Sequence, residues 1–219
     1  MRAGPKAEVT AAPLDLSALP ASGGARVVAF CESYLHVPKG TGARKPLRLR
    51  DWQQDIVCGL FDAPRPRQGL VSIPRGNGKS TLAAALGLYG LFADEVEGAQ
   101  VLCVASDERQ SRIVFNAARR MVELEPRLDE RCQVFQNKVY VPHTDSTLLT
   151  LPAEMAALQG YDPSLAVVDE LGVVTRDVWE SVSLAAGKRD VSLVLAISTP
   201  AADMDSVYGR AGRARPDRR

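Results

Sequence analysis

The chain has 219 residues, 46% of them hydrophobic and 24% charged, with 27 Lys and Arg against 26 Asp and Glu for a formal net charge of +1. That composition belongs to an ordinary globular protein long enough to bury a sizeable core. The charge balance excludes a protein that coats polyanions over its whole surface, but it leaves room for a local basic track. Four widely spaced cysteines (Cys31, Cys58, Cys103 and Cys132) form no C-x-x-C pair. Cys58 and Cys103 sit in apolar runs, which fits buried, reduced thiols. No apolar run approaches the roughly twenty residues that cross a bilayer, and the Ala-, Pro- and Gly-rich N-terminus has no secretory h-region.

In chain order, residues 1–24, with Pro5, Pro13, Pro20, Gly23 and Gly24, read as a flexible leader. Val27, Val28, Phe30, Cys31, Tyr34 and Leu35 fall at helical spacing and predict a short amphipathic helix over 25–35. A basic, glycine-containing loop follows at 38–46. Asp51 then suits the N-cap of a helix that carries Trp52, Ile56 and Leu60 on one face and is stopped by Pro64 and Pro66. The apolar run 70–73 predicts a buried strand, and an Ala- and Leu-rich helix is expected from Lys79 to about Phe92. A second strand is expected at 101–105, with Ser106 and Asp107 starting the next helix. Ile113, Val114, Ala117, Met121, Val122 and Leu124 would bury that helix, and Pro126 lies beyond its end. Alternation at 133–141 and 147–151 predicts a hairpin or two short strands. The runs 165–168 and 192–197 predict two more buried strands. Near-continuous apolar strands alternating with helices specify an α/β fold, a mostly parallel sheet with helices on both faces. No internal repeat is present.

The centre of the sequence is residues 71–81, Val-Ser-Ile-Pro-Arg-Gly-Asn-Gly-Lys-Ser-Thr. A strand, a glycine-bearing loop and a helix opening on Lys79 and Ser80 form the context of a phosphate-binding loop. Gly76 and Gly78 let backbone N–H groups turn toward an anion, and the helix N-terminus adds partial positive charge. Lys79 suits the β- and γ-phosphates of ATP, and the Ser80 hydroxyl suits Mg²⁺. Arg75, inside the loop, is placed to fold over the phosphates. The usual pattern G-x-x-x-x-G-K-[ST] calls for glycine where this chain has Ile73.

Asp169 and Glu170 follow an apolar strand and so emerge at its carboxyl end, where ligands bind in open α/β sheets. Asp169 suits Mg²⁺ held through water, and Glu170 suits the carboxylate that orients attacking water. Ser198 and Thr199 end the next strand. Their hydroxyls would feel the γ-phosphate, or would simply be a polar strand end before Pro200. Trp52 and Gln53 leave two readings open: an aromatic and an amide for adenine, or a core tryptophan beside a surface glutamine. Arg109, Arg112, Arg119 and Arg120 read mostly as a solvated helix face, with one of them a possible arginine finger for a neighbouring subunit. The arginines of the tail, Arg210 to Arg219, fit an uncompacted basic end or a nucleic-acid contact.

Taken together, Asp51-Trp52-Gln53, the 74–80 loop, the 104–110 and 158–163 stretches, Val167 to Leu171 and Ile197 to Pro200 resemble the large terminase subunit of tailed bacteriophages over residues 47–200. The resemblance implies a RecA/ASCE-like P-loop NTPase that pumps double-stranded DNA into a capsid, as a homo-oligomeric ring on a portal protein with a small terminase subunit, in the cytoplasm of the bacterial host. It implies an adenine-side motif at Trp52 and Gln53 and a variant Walker A loop from Arg75 through Ser80, extended to Thr81. It further implies Walker B with its catalytic glutamate at Asp169 and Glu170, and a coupling motif at Ser198 and Thr199. The family also carries a C-terminal nuclease domain. Residues 201–219 hold no acidic cluster to match it, so the expectation is an ATPase domain over 25–200, a basic tail or truncated lid over 201–219, and no nuclease activity. Competing readings are a helicase-like ATPase, which needs a second RecA-like domain, a small-molecule kinase, and a remnant that binds without turnover.

Overall fold

The computed structural model describes residues 9, 11–105, 108–152, 160–170 and 174–199. Seven strands form one sheet: β1 Gln68–Ser72, β2 Gln100–Ala105, β3 Gln133–Val134, β4 Lys138–Val141, β5 Ser146–Pro152, β6 Leu165–Asp169 and β7 Leu193–Ser198. Their spatial order is β1-β7-β6-β2-β5-β4-β3. From β1 to β5 every neighbouring pair is parallel, and β4 and β3 add on antiparallel at the far edge. This is the mostly parallel α/β sheet that the apolar runs specify, with the two alternating stretches as its antiparallel end.

The helices are α1 Gly23–Tyr34, α2 Asp51–Phe61, α3 Lys79–Phe92, α4 Glu108–Leu124, the short α5 Pro126–Asp129, and α6 Arg176–Ala186. Every residue of β6 and β7 is buried, because alternate side chains enter two different layers. Leu165, Val167, Leu195 and Ile197 join the core shared with α1, α2, α3 and α4. Ala166, Val168, Val194 and Ala196 join a second cluster with Val182, Ala185 and Ala186 of α6. Helix α3 is buried almost all round, from Leu82 to Leu91. At Gly90 an added Cβ would stand 3.2 Å from Leu165 Cδ2 and 3.3 Å from Val101 Cγ2, so glycine permits the close seat of α3 on the sheet.

Several expectations change. Arg50, not Asp51, is the N-cap of α2; Asp51 sits in the first turn, where its charge suits the positive helix end. Ile113 is 41% exposed. It lies about 100° round the helix from Val114, whereas Ser111, Val114, Phe115, Ala118, Met121 and Val122 form the buried stripe. Pro126 opens α5 instead of merely following α4. Cys58 is half-buried, while Cys31, Cys103 and Cys132 are buried. Leu14, Leu16 and Leu19 pack against the main core, and the Tyr34 hydroxyl donates to the Asp15 carbonyl at 2.5 Å, so this part of the leader is held to the domain. The sequence reading placed no element between Glu170 and Ser192, where α6 stands. Ser106, Asp107, residues 158–159, Pro200 and the arginine tail lie outside the described residues.

Candidate active site

The loop after β1 begins with a residue that still behaves as strand. Ile73 is 6% exposed and its N–H donates to the Ser198 carbonyl at 3.1 Å, which extends the β1–β7 ladder by one step. That is why an isoleucine stands where the common pattern has glycine: the position packs in the core, and the turn begins after it. Asn77 closes the loop, its Nδ2 donating to the Pro74 carbonyl at 3.2 Å. Gly76 and Gly78 take φ of 82° and 76°, a left-handed backbone that glycine adopts without penalty. Gly78 is the N-cap of α3 and no side chain caps the helix, so its first N–H groups stay available to an anion. Lys79, Ser80 and Thr81 form the first turn, half-buried, and Arg75 is exposed.

The parallel register brings the other groups to the same edge. Ser72 pairs with Ser198 and Asp169 with Ile197, so three strands end together beside the loop. Glu170 takes φ of 56° just past β6, and its N–H donates to the Ile197 carbonyl at 2.8 Å. Its carboxylate is held from two sides. Thr199 Oγ1 donates to Oε1 at 2.8 Å, and Lys79 Nζ lies 3.6 Å from Oε2. Ser198 is turned inward: it is 1% exposed and its hydroxyl donates to the Thr199 carbonyl at 3.1 Å. Of the two hydroxyls, Thr199 is the one aimed into the site.

Asp169 is 7% exposed. Burial pushes its carboxyl above the usual range and the adjacent Glu170 adds to this, while Lys79 opposes it. Burial, with Asp169 as neighbour, also pushes the Cys103 thiol up to about 12. A carboxylate held at such a cost favours a nearby cation. Asp169 and the Ser80 hydroxyl are hard oxygen donors that fit Mg²⁺. Among the described residues no group of three or more His, Cys, Asp or Glu gathers to cage a metal.

Gln53 reaches the loop from α2. Its Oε1 accepts from the Arg50 N–H at 3.0 Å, and its Nε2 lies 3.8 Å from the position of a Cβ on Gly78. Trp52 is half-buried and packs against the main core. On α4, Arg119 and Arg120 both pair with Glu123, at 3.0 and 3.2 Å, and Arg109 is exposed. The Lys79–Glu170 ion pair has no signal in the sequence beyond the placement of both residues at the same carboxyl edge. A cavity of about 420 Å³ lies elsewhere, among Leu14, Leu16, Leu91, Phe92, Val141 and His143. None of the candidate residues lines it, so the site is assigned by its chemistry and not by size.

The chain matches the family described as "Terminase large subunit, ATPase domain" over residues 51–213. It is 34% identical over 194 residues to the terminase large subunit of Enterobacteria phage HK97, covering 82% of this chain and 37% of that protein. The crystal structure of the HK97 large terminase superposes with a TM-score of 0.78 at 31% identity, covering 86% of this chain and 40% of that one. The large terminase ATPase domain of Thermus phage P74-26 gives 0.58 at 23% identity, covering 70% and 66% respectively, a likeness of fold. The chain thus spans about two fifths of the length of the HK97 protein.

Proposed function

This chain belongs to the terminase large subunit family through its ATPase domain, and from that premise we propose that residues 25–200 form a motor domain that couples ATP hydrolysis to the movement of double-stranded DNA. The N–H groups of 76–81 hold the phosphates, and Arg75, exposed beside them, closes over the γ-phosphate. Gln53, against Gly78, reads the adenine edge, with Trp52 walling that side. Asp169, through water, and Ser80 hold Mg²⁺, which when bound neutralises charge on the β- and γ-phosphates.

The resting contacts support the following order of events. Phosphate competes with Glu170 for Lys79, so nucleotide entry withdraws the cation from Oε2. Glu170 is then free to accept a proton from the attacking water. Thr199 still holds Oε1 and so fixes the direction of the carboxylate. Because Thr199 directly follows β7, loss of the γ-phosphate is felt by the segment beyond it, the proposed coupling step. A homo-oligomeric ring on a portal, a small terminase subunit and the host cytoplasm complete the proposal. No helix among the described residues is long and apolar enough to cross a membrane.

The observation that carries this reading is the Glu170 carboxylate held between the phosphate-loop lysine and the hydroxyl of the neighbouring strand. Steady-state ATP hydrolysis, with and without double-stranded DNA, tests it beside Glu170→Gln. Turnover should rise with DNA, and the variant should keep nucleotide binding while losing about 10²–10⁴-fold in rate. A variant that turns over at the parent rate would remove Glu170 from the role of water-orienting base.

A further inference from the structure

Residues 36–50 contain five of the 27 basic side chains (Lys39, Arg44, Lys45, Arg48 and Arg50) and none of the 26 acidic ones. The segment is a closed, pinned loop. His36 and Pro46 form an antiparallel bridge. The Val37 N–H donates to the Lys45 carbonyl and the Arg44 N–H to the Val37 carbonyl, both at 2.9 Å, and the Leu47 N–H donates to the Leu35 carbonyl at 2.8 Å. At the tip, the Ala43 N–H reaches the Gly40 carbonyl and the Lys45 N–H the Gly42 carbonyl, each at 3.0 Å. Pro38, Leu47 and Leu49 are buried, so the stems are seated in the core while the tip projects. Three positive φ angles, at Gly40, Gly42 and Arg44, let the chain turn tightly enough to present its side chains outward.

Elsewhere, several arginines are matched with acids: Arg65 with Asp94, Arg119 and Arg120 with Glu123, Arg176 with Glu180, and Arg189 with Asp162. In this loop only Arg48 is matched, to Glu32 at 2.7 Å. Lys39, Arg44, Lys45 and Arg50 are exposed, and none pairs with a carboxylate among the described residues. A cluster of unmatched cations on a pinned tip, in a chain whose overall charge is balanced, is a local anion-binding surface. The tip carries no aromatic side chain to stack on bases and no helix to enter a groove. It therefore suits phosphates and not sequence.

We infer that this loop contacts the phosphate backbone of duplex DNA through Lys39, Arg44 and Lys45, with Arg50 extending the contact toward the nucleotide. The inference rests on the motor reading and deepens it. The path to the site is short: Leu49 is anchored in the core, the Arg50 N–H donates to Gln53 Oε1, and Gln53 abuts Gly78. DNA seated on the tip thus bears on the element that borders the phosphate loop.

The test uses the whole chain, a duplex of arbitrary sequence, and affinities measured between 50 and 200 mM salt. The variant carries Lys39→Ala, Arg44→Ala and Lys45→Ala together, and the control carries Arg119→Ala with Arg120→Ala. Each lost phosphate contact removes close to one unit from the slope of log affinity against log salt. The variant should lose about two to three units of slope and at least about tenfold in affinity. Its melting temperature and DNA-free ATP turnover should stay at parent values, and the control should keep the parent slope. An unchanged slope in the variant, or an equal loss in the control, overturns the assignment. DNA-stimulated turnover that persists at full strength in the variant overturns the loop alone. A parent chain that neither binds DNA nor responds to it overturns the motor reading with it.

Discussion

The two ends of the seven-stranded sheet are built from the same kinds of residue and do different work. At one end β1, β7 and β6 run parallel, so each must return through a crossover and all three carboxyl ends emerge on one side. The residues just past those ends, Ile73 to Gly78, Thr199 and Glu170, are thereby brought to one edge. At the other end β5, β4 and β3 run antiparallel, and successive strand ends alternate between the two sides. The polar groups there satisfy one another locally: Tyr140 Oη donates to Asp145 at 2.9 Å, and Thr144 Oγ1 to Ser146 at 2.8 Å. Parallel pairing concentrates reactive side chains, whereas hairpins disperse them.

The sharpest way to break that comparison is to damage each end once. Lys79→Ala removes the cation from the phosphate loop and should lower nucleotide affinity by about 100-fold, the scale of a lost charge-assisted contact. Melting should change little. Leu148→Ala, at a fully buried side chain of β5, should do the reverse. A buried leucine cut to alanine costs about 2–5 kcal/mol, and each kcal/mol lowers the melting temperature by roughly 2–4 °C in a chain of this size. The folded fraction should bind nucleotide as the parent does. Binding isotherms and thermal melts on the two variants give the answer, and matching profiles would mean that the two ends are not separable.

The active end was also the more legible one. Strands β6 and β7 are buried on both faces and so appear in the sequence as unbroken apolar runs, and their polar successors mark the carboxyl edge directly. The loop proposed to hold phosphate stands out in the sequence despite Ile73, since its glycines, Lys79 and Ser80 keep their spacing. The contacts around the Glu170 carboxylate were not readable. Nothing in the spacing of Lys79, Glu170 and Thr199 states which pairs touch, because that depends on the order β1-β7-β6, and strand order is set by tertiary packing. Helix α6 was missed although Val178, Trp179, Val182, Ala185 and Ala186 recur at helical intervals. Its flanks are rich in β-branched residues, which blur the period. Ile113 failed in the opposite sense: an apolar residue next to a stripe was read as part of it.

Within the active end, Thr199 and Lys79 hold the same carboxylate in different ways, and a smaller effect should separate them. Thr199→Val keeps the shape and removes the hydroxyl. It should leave nucleotide affinity at the parent value while slowing turnover by about tenfold, the cost of one hydrogen bond to a charged group. Thr199→Ser should restore the rate. Paired measurements of kcat and KM decide: a change confined to KM would show that Thr199 serves binding and not the direction of Glu170.

The smallest expected effect concerns stability at the active end. Asp169 is buried and its carboxyl is pushed upward, by burial first and by Glu170 second, against the pull of Lys79. For a raised carboxyl, the cost of ionisation is absent below the range of the unfolded side chain, near 3.9. It grows as pH rises toward the folded value and is fully present above that value. Asn in its place has the same shape and no charge, so Asp169→Asn should raise the melting temperature at neutral pH. A gain of about 1 kcal/mol would appear as roughly 2–4 °C. The same change should abolish Mg²⁺-dependent turnover, since Asp169 is the proposed anchor of the ion. A lower melting temperature would mean that the carboxylate is compensated in the resting fold. It would then be a structural ion-pair member and not a group held ready for a cation.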